Sequence, residues 1–258
     1  MATGTVQTAW SIRTSKVPKG LLKALPGFTN PVDTAPARER RLFESIEDAH
    51  AGPSVSKIDW RSTGAVSPPG YQGQCNTCTS FAIVAAMEAL HYIKVKTRVT
   101  LAPGFIHTCL LNRRCEEGAG ASEALDAASA HGVALSFPGA YPFPTKQCGI
   151  KNLYTVRQRV WLAGPNEAML ALANHGPVVG DMWIAPDFVS LPAGKIYRFQ
   201  DTPERRLHSV CVIGFDREQG CWIVSNSFGQ KWGDGGFAKV AFGSGGLLGE
   251  RGGWQIIL

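Results

Sequence analysis

Residues 71–81 read Tyr-Gln-Gly-Gln-Cys-Asn-Thr-Cys-Thr-Ser-Phe, and a largely apolar segment follows directly. Cys78 therefore stands after a Gln-Gly turn, at the start of a helix predicted to run to about Lys96. Apolar residues occupy more than one face of this helix, which predicts a central, buried position. The unpaired N–H groups and the dipole at a helix N-terminus stabilise negative charge by about 0.3–1 kcal/mol, so they favour a thiolate there. The stretch thus predicts both a core helix and a cysteine nucleophile.

The composition indicates a globular protein with a sizeable core. Of 258 residues, 44% are apolar and 18% are charged, which is not the composition of a disordered chain. The net charge is +6, but the basic residues form short, separate groups without interleaved aromatic residues, so we expect no nucleic-acid partner. No apolar run reaches the roughly 20 residues that span a bilayer, so we expect no membrane partner either. We expect a monomer.

The hydrophobic period changes along the chain. Helices are predicted at 78–96, 122–131 and 166–174, and strands at 178–179, 195–197, 209–215, 221–225 and 236–242. A turn at 216–220 joins two of these strands into an antiparallel hairpin. The pattern predicts an α+β protein with a helical lobe at about 60–155 and a β-rich lobe at about 156–258. Ligand sites tend to lie between such lobes.

Polar residues far apart in sequence fit the chemistry of a cysteine nucleophile. His208 opens one strand of the hairpin and Asn226 ends the other, so the two should lie close together. The histidine can accept the thiol proton if a third group fixes its tautomer. Gln72, on the turn before the helix, can hold a developing oxyanion together with the backbone N–H of Cys78. Taken alone, Cys78 is more often a buried apolar residue than a nucleophile; the combination favours catalysis.

The seven cysteines suggest a secreted protein or another oxidising compartment, with at least one unpaired thiol. The spacings Cys75-x2-Cys78 and Cys109-x5-Cys115 are similar to those of zinc ligands, but no second Cys-x2-Cys or spaced histidine pair completes a tetrahedral set. We therefore expect no metal and no cofactor. The first 20 residues lack the apolar core of a secretory signal, which leaves a removed signal and another export route equally open.

Over roughly residues 55–258 the chain resembles the papain-like cysteine proteases. The distance from Cys78 to His208 is 130 residues (208 − 78), within the about 130–150 described for that family, so the spacing belongs to the resemblance and is no separate derivation. Asp59-Trp60-Arg61 and residues 64–66 match the start of the family's domain. Residues 72–81 stand in place of Gln-Gly-x-Cys-Gly-Ser-Cys-Trp-Ala-Phe, and His208-Ser209-Val210 stands in place of His-Ala-Val. Residues 226–229 with Trp232-Gly233 stand in place of Asn-Ser-Trp-Gly…Trp-Gly.

The resemblance implies a two-lobed papain-like fold, with a helical left lobe, a β-barrel-like right lobe and the active-site cleft between them. It also implies a cysteine endopeptidase that acts on a peptide or protein substrate. In that reading Cys78 forms an acyl-enzyme, His208 transfers protons, Asn226 orients the histidine, and Gln72 binds the oxyanion.

The resemblance also implies which cysteines form disulfides. The six that remain beside Cys78 allow 15 pairings by arithmetic, and the family positions imply the disulfides Cys75–Cys115 and Cys109–Cys148. Counting back across the turn, Cys211 should face about residue 224 rather than Cys221. We therefore expect Cys211 and Cys221 to be free, buried thiols.

Substrate-binding residues follow from the same resemblance. Gly118 matches the second glycine of a pair that hydrogen-bonds an extended peptide, whereas Glu117 departs from the first. Asp181 and Arg206 would pair with each other if both face the main specificity pocket. The residues that align with this pocket are Ala119, Gly120, Asp181, Arg206 and Ser209.

Three departures from the family pattern leave alternatives open. Thr79 replaces the tryptophan after the nucleophile, Asn76 replaces a glycine beside it, and Phe228 replaces the tryptophan that shields the His–Asn hydrogen bond. They motivate an alternative, a catalytically inactive papain-fold binding protein. A transpeptidase or cyclase that passes the acyl group to an amine is a further alternative.

The first 54 residues form an N-terminal extension or a short propeptide-like segment. They contain a predicted helix at 35–50 and an apolar strip at 21–28 that is too short to form a core of its own. We expect this segment to cross or flank the cleft and to limit access to it.

Overall fold

The computed structural model describes residues 54–136, 141, 148–150 and 153–258. Within these residues, helices and a large, mostly antiparallel sheet combine in one chain. The predicted α+β class is therefore confirmed. The predicted helix at 35–50 and the apolar strip at 21–28 lie outside the described residues.

The α-helices of the described residues begin and end within one residue of their predicted positions. They are α1 (Cys78–Val95), α2 (Ala121–His131) and α3 (Pro165–Asn174). Short helical turns occur at Trp60–Thr63, Phe105–Leu110, Pro186–Ser190 and Ser244–Gly246. Helix α1 ends where Lys96 adopts a left-handed conformation and donates its N–H to the carbonyl of Tyr92.

Helix α1 forms the centre of the helical lobe. Its residues Ile83, Ala86 and Met87 are fully buried and pack in a core with α2. By length and composition alone this helix could cross a membrane, which the sequence expectation overlooked, yet 61% of its 18 residues are buried inside the protein. Its apolar character therefore matches the role of a core helix.

The β-rich lobe is built on an eight-stranded sheet. Its strands follow the order β4-β10-β5-β7-β8-β9-β6, with β1 paired to β7; β2 and β3 form a separate pair. Among the strand pairings of the described residues, only β6–β9 is parallel. The strands are β1 (Lys57–Asp59), β2 (Val133–Ala134), β3 (Leu153–Tyr154), β4 (Gln158–Leu162), β5 (Val178–Ile184), β6 (Ile196–Tyr197), β7 (Arg206–Asp216), β8 (Cys221–Ser225), β9 (Phe237–Ala241) and β10 (Gly253–Ile257).

The β7–β8 hairpin has the predicted direction but a shifted register. Cys211 pairs with Ser225, one position from the predicted 224. A bulge between Val212 and Gly214 adds one residue to β7, whereas an unbroken ladder continued from the Asp216–Cys221 pair would place Cys211 opposite residue 226. Glycine is required at the bulge, since a Cβ at Gly214 would lie 2.1 Å from the carbonyl oxygen of Ile58 on β1. The prediction that Cys211 and Cys221 are free, buried thiols is confirmed.

Among the described residues, the buried apolar side chains form two large clusters and a small one. The first joins α1 and α2 to one face of the sheet, and the second joins α3 to the sheet. The small cluster contains Ala102, Phe105 and Ala134. Helix α1 packs against β7, so its N-terminus lies close to the strand that carries His208. This contact between lobes positions the candidate site.

Candidate active site

Cys78 is the first residue of α1 and is 4% exposed. Burial raises the pKa of its thiol, and the charge of Asp181 raises it further, whereas hydrogen bonds from the backbone N–H and hydroxyl of Ser209 and from the N–H of Thr79 lower it. The turn before the helix is held by a disulfide from Cys75 to Cys115, and a second disulfide joins Cys109 to Cys148. This is the pairing that the family resemblance implied, and it occupies three of the four cysteines whose spacing was similar to that of zinc ligands.

His208 and Asn226 are joined by a hydrogen bond of 2.7 Å between Nε2 and Oδ1. The same Oδ1 accepts the backbone N–H of Ser227 at 2.8 Å, which fixes the orientation of the amide. Nε2 of His208 is therefore the donor, and Nδ1 of the neutral ring keeps its lone pair. Burial lowers the pKa of His208 to about 4, although the bond to Asn226 partly opposes the shift.

An aromatic cluster covers the His208–Asn226 pair. The ring of Phe228 lies 5.0 Å from the His208 ring, and the ring of Phe188 lies 6.0 Å from it. Trp232 packs on both phenylalanines and donates its indole N–H to the carbonyl of Phe188 at 3.1 Å. Phe228 thus keeps an aromatic ring where the family pattern has tryptophan, and it excludes water from the hydrogen bond.

Gln72 is buried and ties the turn before α1 to the loop after β8. Its backbone N–H donates to the carbonyl of Ser227 at 2.8 Å, and its Oε1 accepts the hydroxyl of Ser227. Its Nε2 donates to the carbonyl of Cys75 at 2.8 Å. One N–H of the side-chain amide remains for a ligand, as an oxyanion donor requires.

The thiol and the imidazole do not hydrogen-bond to each other in the part of the chain that the structure describes. The partners of Cys78 are Ser209 and Thr79, and the side-chain partner of His208 is Asn226. Because His208 and Ser209 are neighbours on β7, the nucleophile lies beside the residue that follows the candidate base.

Two residues assigned to the specificity pocket contact Thr79, and a third contacts one of these two. The hydroxyl of Thr79 donates to the carbonyl of Ala119 at 2.8 Å and contacts the hydroxyl of Ser209 at 2.8 Å. Ser209 donates in turn to Oδ1 of Asp181 at 2.5 Å. On the β5–β7 ladder Asp181 faces Ser209, whereas Arg206 faces Ile184. Sequence reasoning missed the role of Thr79, although serine in place of the family's His-Ala-Val alanine signalled a polar partner.

The loop that carries Gly118 is also held by hydrogen bonds. Asn76 donates its side-chain amide to the carbonyl of Glu116 at 2.7 Å, so it braces this loop in the position where the family has glycine. Glu117 accepts the backbone N–H of Arg114 at 2.7 Å, and that bond lowers the pKa of its carboxyl. Gly118 and Gly120 flank the buried Ala119. Among the described residues, no group of three or more His, Cys, Asp or Glu side chains could hold a metal ion.

Comparison with known proteins gives one consistent result. Residues 54–250 match the family model described as papain family cysteine protease. The chain is 28% identical over 219 residues to digestive cysteine proteinase 2 of Homarus americanus, covering 80% of this chain and 67% of that protein. It is 27% identical over 213 residues to ananain of Ananas comosus, covering 79% of this chain and 60% of that protein. The chain thus spans about two thirds or less of the length of these relatives.

Solved structures give the same fold. The structure of digestive procathepsin L 3 from the larval midgut of Tenebrio molitor matches with a TM-score of 0.70 at 22% identity, over 93% of this chain and 77% of that one. A recombinant stem bromelain precursor matches with a TM-score of 0.70 at 22% identity, over 86% of this chain and 76% of that one. At this identity the likeness concerns the fold alone, and it confirms the predicted two-lobed architecture.

Proposed function

Because the chain belongs to the papain family of cysteine proteases, we propose that it is a cysteine endopeptidase that works through Cys78, His208 and Asn226. The observation that carries this proposal is the 2.7 Å hydrogen bond from His208 Nε2 to Asn226 Oδ1, next to a cysteine that begins a buried helix. That bond leaves Nδ1 of His208 as a base.

In the first half of the reaction, Nδ1 of His208 takes the thiol proton and Sγ of Cys78 attacks the peptide carbonyl. A C–S bond forms, the C–N bond breaks, and the imidazolium gives its proton to the leaving amine. The acyl-enzyme remains on Cys78. In the second half, His208 takes a proton from water, the hydroxide adds to the thioester, and the acid product leaves with Cys78 restored.

The oxyanion of each tetrahedral intermediate would be bound by the free N–H of the Gln72 amide and the backbone N–H of Cys78. Gln72 supports this role because hydrogen bonds of both its side chain and its backbone hold it rigidly. Loss of one such donor typically costs about 2.7–4 kcal/mol of barrier, a factor of about 100–1,000 in rate.

The test is hydrolysis of a peptide library by the purified chain and by the variant Cys78→Ala. We expect cleavage by the parent, loss of cleavage in Cys78→Ala, and no effect of a chelator. Cys221→Ala, which removes another buried free thiol on β8, is the matched control and should retain activity. Undiminished cleavage by Cys78→Ala would refute the mechanism.

A specific observation also supports a second candidate, an inactive papain-fold binding protein. Cys78 is buried, the pKa of its thiol is raised, and its hydrogen-bond partners are Ser209 and Thr79 rather than His208. Titration with a peptidyl epoxide separates the two functions. Stoichiometric labelling of Cys78 supports the peptidase, and labelling no faster than that of the buried Cys211 supports the binding protein.

We further propose that residues 1–54 limit access to the cleft. The solved structures that match this chain include a procathepsin and a bromelain precursor, which are proenzymes. The two disulfides support an oxidising compartment as the place of action. Peptide turnover by the full chain and by a form that starts at Ser54 tests the first point: faster turnover by the shorter form is expected, and equal rates would refute it.

A further inference from the structure

The hydroxyl of Tyr141 bridges the two ends of the turn that precedes α1. Tyr141 lies between β2 and β3 and is half-buried. Its hydroxyl donates to the backbone carbonyl of Gln72 at 2.8 Å and contacts the hydroxyl of Thr77 at 2.6 Å. Gln72 and Thr77 are each 1% exposed. One side chain from a distant part of the sequence thus joins the candidate oxyanion donor to the residue directly before Cys78.

The hydrogen bonds of these two hydroxyls have a defined direction. The single proton of the Tyr141 hydroxyl goes to the carbonyl of Gln72, so Thr77 is the donor in the contact between the hydroxyls. A contact of 3.5 Å from the Thr77 hydroxyl to the carbonyl of Cys75 is a weaker alternative. Burial raises the pKa of the Tyr141 phenol, so this group remains a donor at neutral pH. Two protons therefore serve two bonds, and the pair ends at the carbonyl of Gln72.

Thr77 occupies the position directly before α1, where a threonine commonly accepts an N–H group of the first helical turn. Its side chain makes no such bond, and its hydroxyl is bonded to Tyr141 instead. This side chain therefore adds no competing acceptor at the helix end. The backbone N–H groups and the dipole of that end favour negative charge on Cys78 or on a bound oxyanion.

The ring of Tyr141 packs against α1 independently of its hydroxyl. Its centroid lies 5.2 Å from that of the Phe81 ring, in an edge-to-face arrangement. Phe81 belongs to the first turn of the helix, since its backbone N–H donates to the carbonyl of Thr77 at 3.0 Å. Phenylalanine in place of Tyr141 keeps this ring contact and removes both hydroxyl bonds. That substitution therefore separates the effect of the hydroxyl from the effect of packing.

The oxyanion site proposed above needs two donors at a fixed separation, the side-chain amide of Gln72 and the backbone N–H of Cys78. Ser227 anchors the Gln72 end of the turn, and the disulfide of Cys75 anchors its middle. The Tyr141 bridge adds a link from Gln72 to Thr77, and so to the second donor. A misplacement of about 1 Å in a reacting site can cost about 100-fold in rate.

We propose that Tyr141 is a positioning residue whose hydroxyl fixes the separation of the two oxyanion donors. The inference rests on the proposed function, because the oxyanion belongs to the peptidase reaction. The bridge itself can be tested without peptide turnover.

The first test compares peptide hydrolysis with alkylation of Cys78 by chloroacetamide, a displacement at a saturated carbon that forms no oxyanion. We expect Tyr141→Phe to lower kcat/KM for peptides by about tenfold, mainly through kcat, because a displaced donor costs less than the about 100–1,000-fold of a removed one. The alkylation rate should stay within about twofold of the parent's. Tyr197→Phe is the matched control, since it removes a buried hydroxyl that accepts the N–H of Ala185 in the β-rich lobe. It should leave the ratio of the two rates unchanged, whereas an equal fall of both rates in Tyr141→Phe would overturn the proposal.

A double-mutant cycle with Gln72→Ala tests whether the hydroxyl acts through the pair of donors. Without the Gln72 amide there is no separation to maintain, so Tyr141→Phe should then lower kcat/KM by about threefold or less. The full tenfold effect in the Gln72→Ala background would overturn the proposal.

Hydrogen exchange in the full chain tests the bridge whether or not the chain cleaves peptides. The backbone N–H groups of Gln72, Cys75 and Thr77 are all hydrogen-bonded, and nuclear magnetic resonance can follow each one. We expect Tyr141→Phe to speed their exchange by about 3- to 10-fold, the effect of one lost hydrogen bond, and Tyr197→Phe to leave it unchanged. Unchanged exchange in Tyr141→Phe would overturn the proposal. A chain that cleaves no peptide yet shows the faster exchange would refute only the proposed function.

Discussion

Replacing Thr79 by valine keeps the volume of a side chain that is 3% exposed but removes two hydrogen bonds of 2.8 Å. The buried carbonyl of Ala119 loses its donor, at a cost of about 1–3 kcal/mol for an unsatisfied buried group, whereas the hydroxyl of Ser209 keeps its bond to Asp181. The added methyl returns about 0.8 kcal/mol. We therefore expect Thr79→Val to lower the free energy of unfolding by about 0.2–2 kcal/mol, although valine is the more apolar residue.

The assay is urea denaturation of the disulfide-intact protein, with a comparison of midpoints at unchanged m-value. Thr79→Ser is the matched variant: it keeps the hydroxyl and loses only a methyl, at a cost of about 0.5–1.5 kcal/mol. Thr79→Val combined with Ser209→Ala should cost less than the two single changes added together, because the hydroxyls satisfy each other. A Thr79→Val protein at least as stable as the parent, or strictly additive variants, would refute the reasoning.

Three further predictions concern the site and its scaffold. His208 has a pKa of about 4 in the folded protein and an ordinary value of 6.5, so the unfolded state binds more protons between these pH values. The stability present above pH 6.5 should therefore fall by up to about 3 kcal/mol as the pH drops to 4. His208→Gln should flatten that part of the stability–pH curve, and an unchanged slope would argue against the assignment of this effect to His208. Asn226→Ala should lower kcat/KM by about 5- to 150-fold, since it leaves the buried His208 Nε2–H unpaired, while an unchanged kcat/KM would remove Asn226 from the mechanism. Gly214→Ala should cost more than about 3 kcal/mol of unfolding free energy, because its Cβ would overlap the Ile58 carbonyl; a far-ultraviolet melt checks this, and an unchanged midpoint would contradict it.

The sequence predicted the elements that have strong hydrophobic periodicity or a clear turn at one end. Helix α1 was predicted because apolar residues continue around it from Cys78, and β8 was placed to the residue because the 216–220 turn marks its start. Strands β1, β2, β3, β4 and β10 were missed. Lys57–Asp59 is only three residues long and pairs with β7 about 155 residues later, a contact that no local pattern encodes.

The part of the candidate site that lies on the β7–β8 hairpin was predictable from the sequence. The hairpin argument placed Asn226 near His208, and the two are 2.7 Å apart. The bulge in β7 was not predictable, because β7 is buried along almost its whole length and shows no alternation that an extra residue would interrupt. The bulge moved the partner of Cys211 by one position. The role of Thr79 was also hidden, since its partners come from β7 and the loop before α2, far from it in sequence.

The central claim is that Cys78 carries the acyl group during peptide hydrolysis. The most direct measurement is acid quenching of the chain during turnover of an activated peptide ester, followed by mass spectrometry of the whole protein and of its fragments. We predict a single added acyl mass, located on Cys78, that is absent in His208→Ala and in Cys78→Ala. Turnover without an acyl adduct, or an adduct on Cys211 or Cys221 instead, would contradict the account.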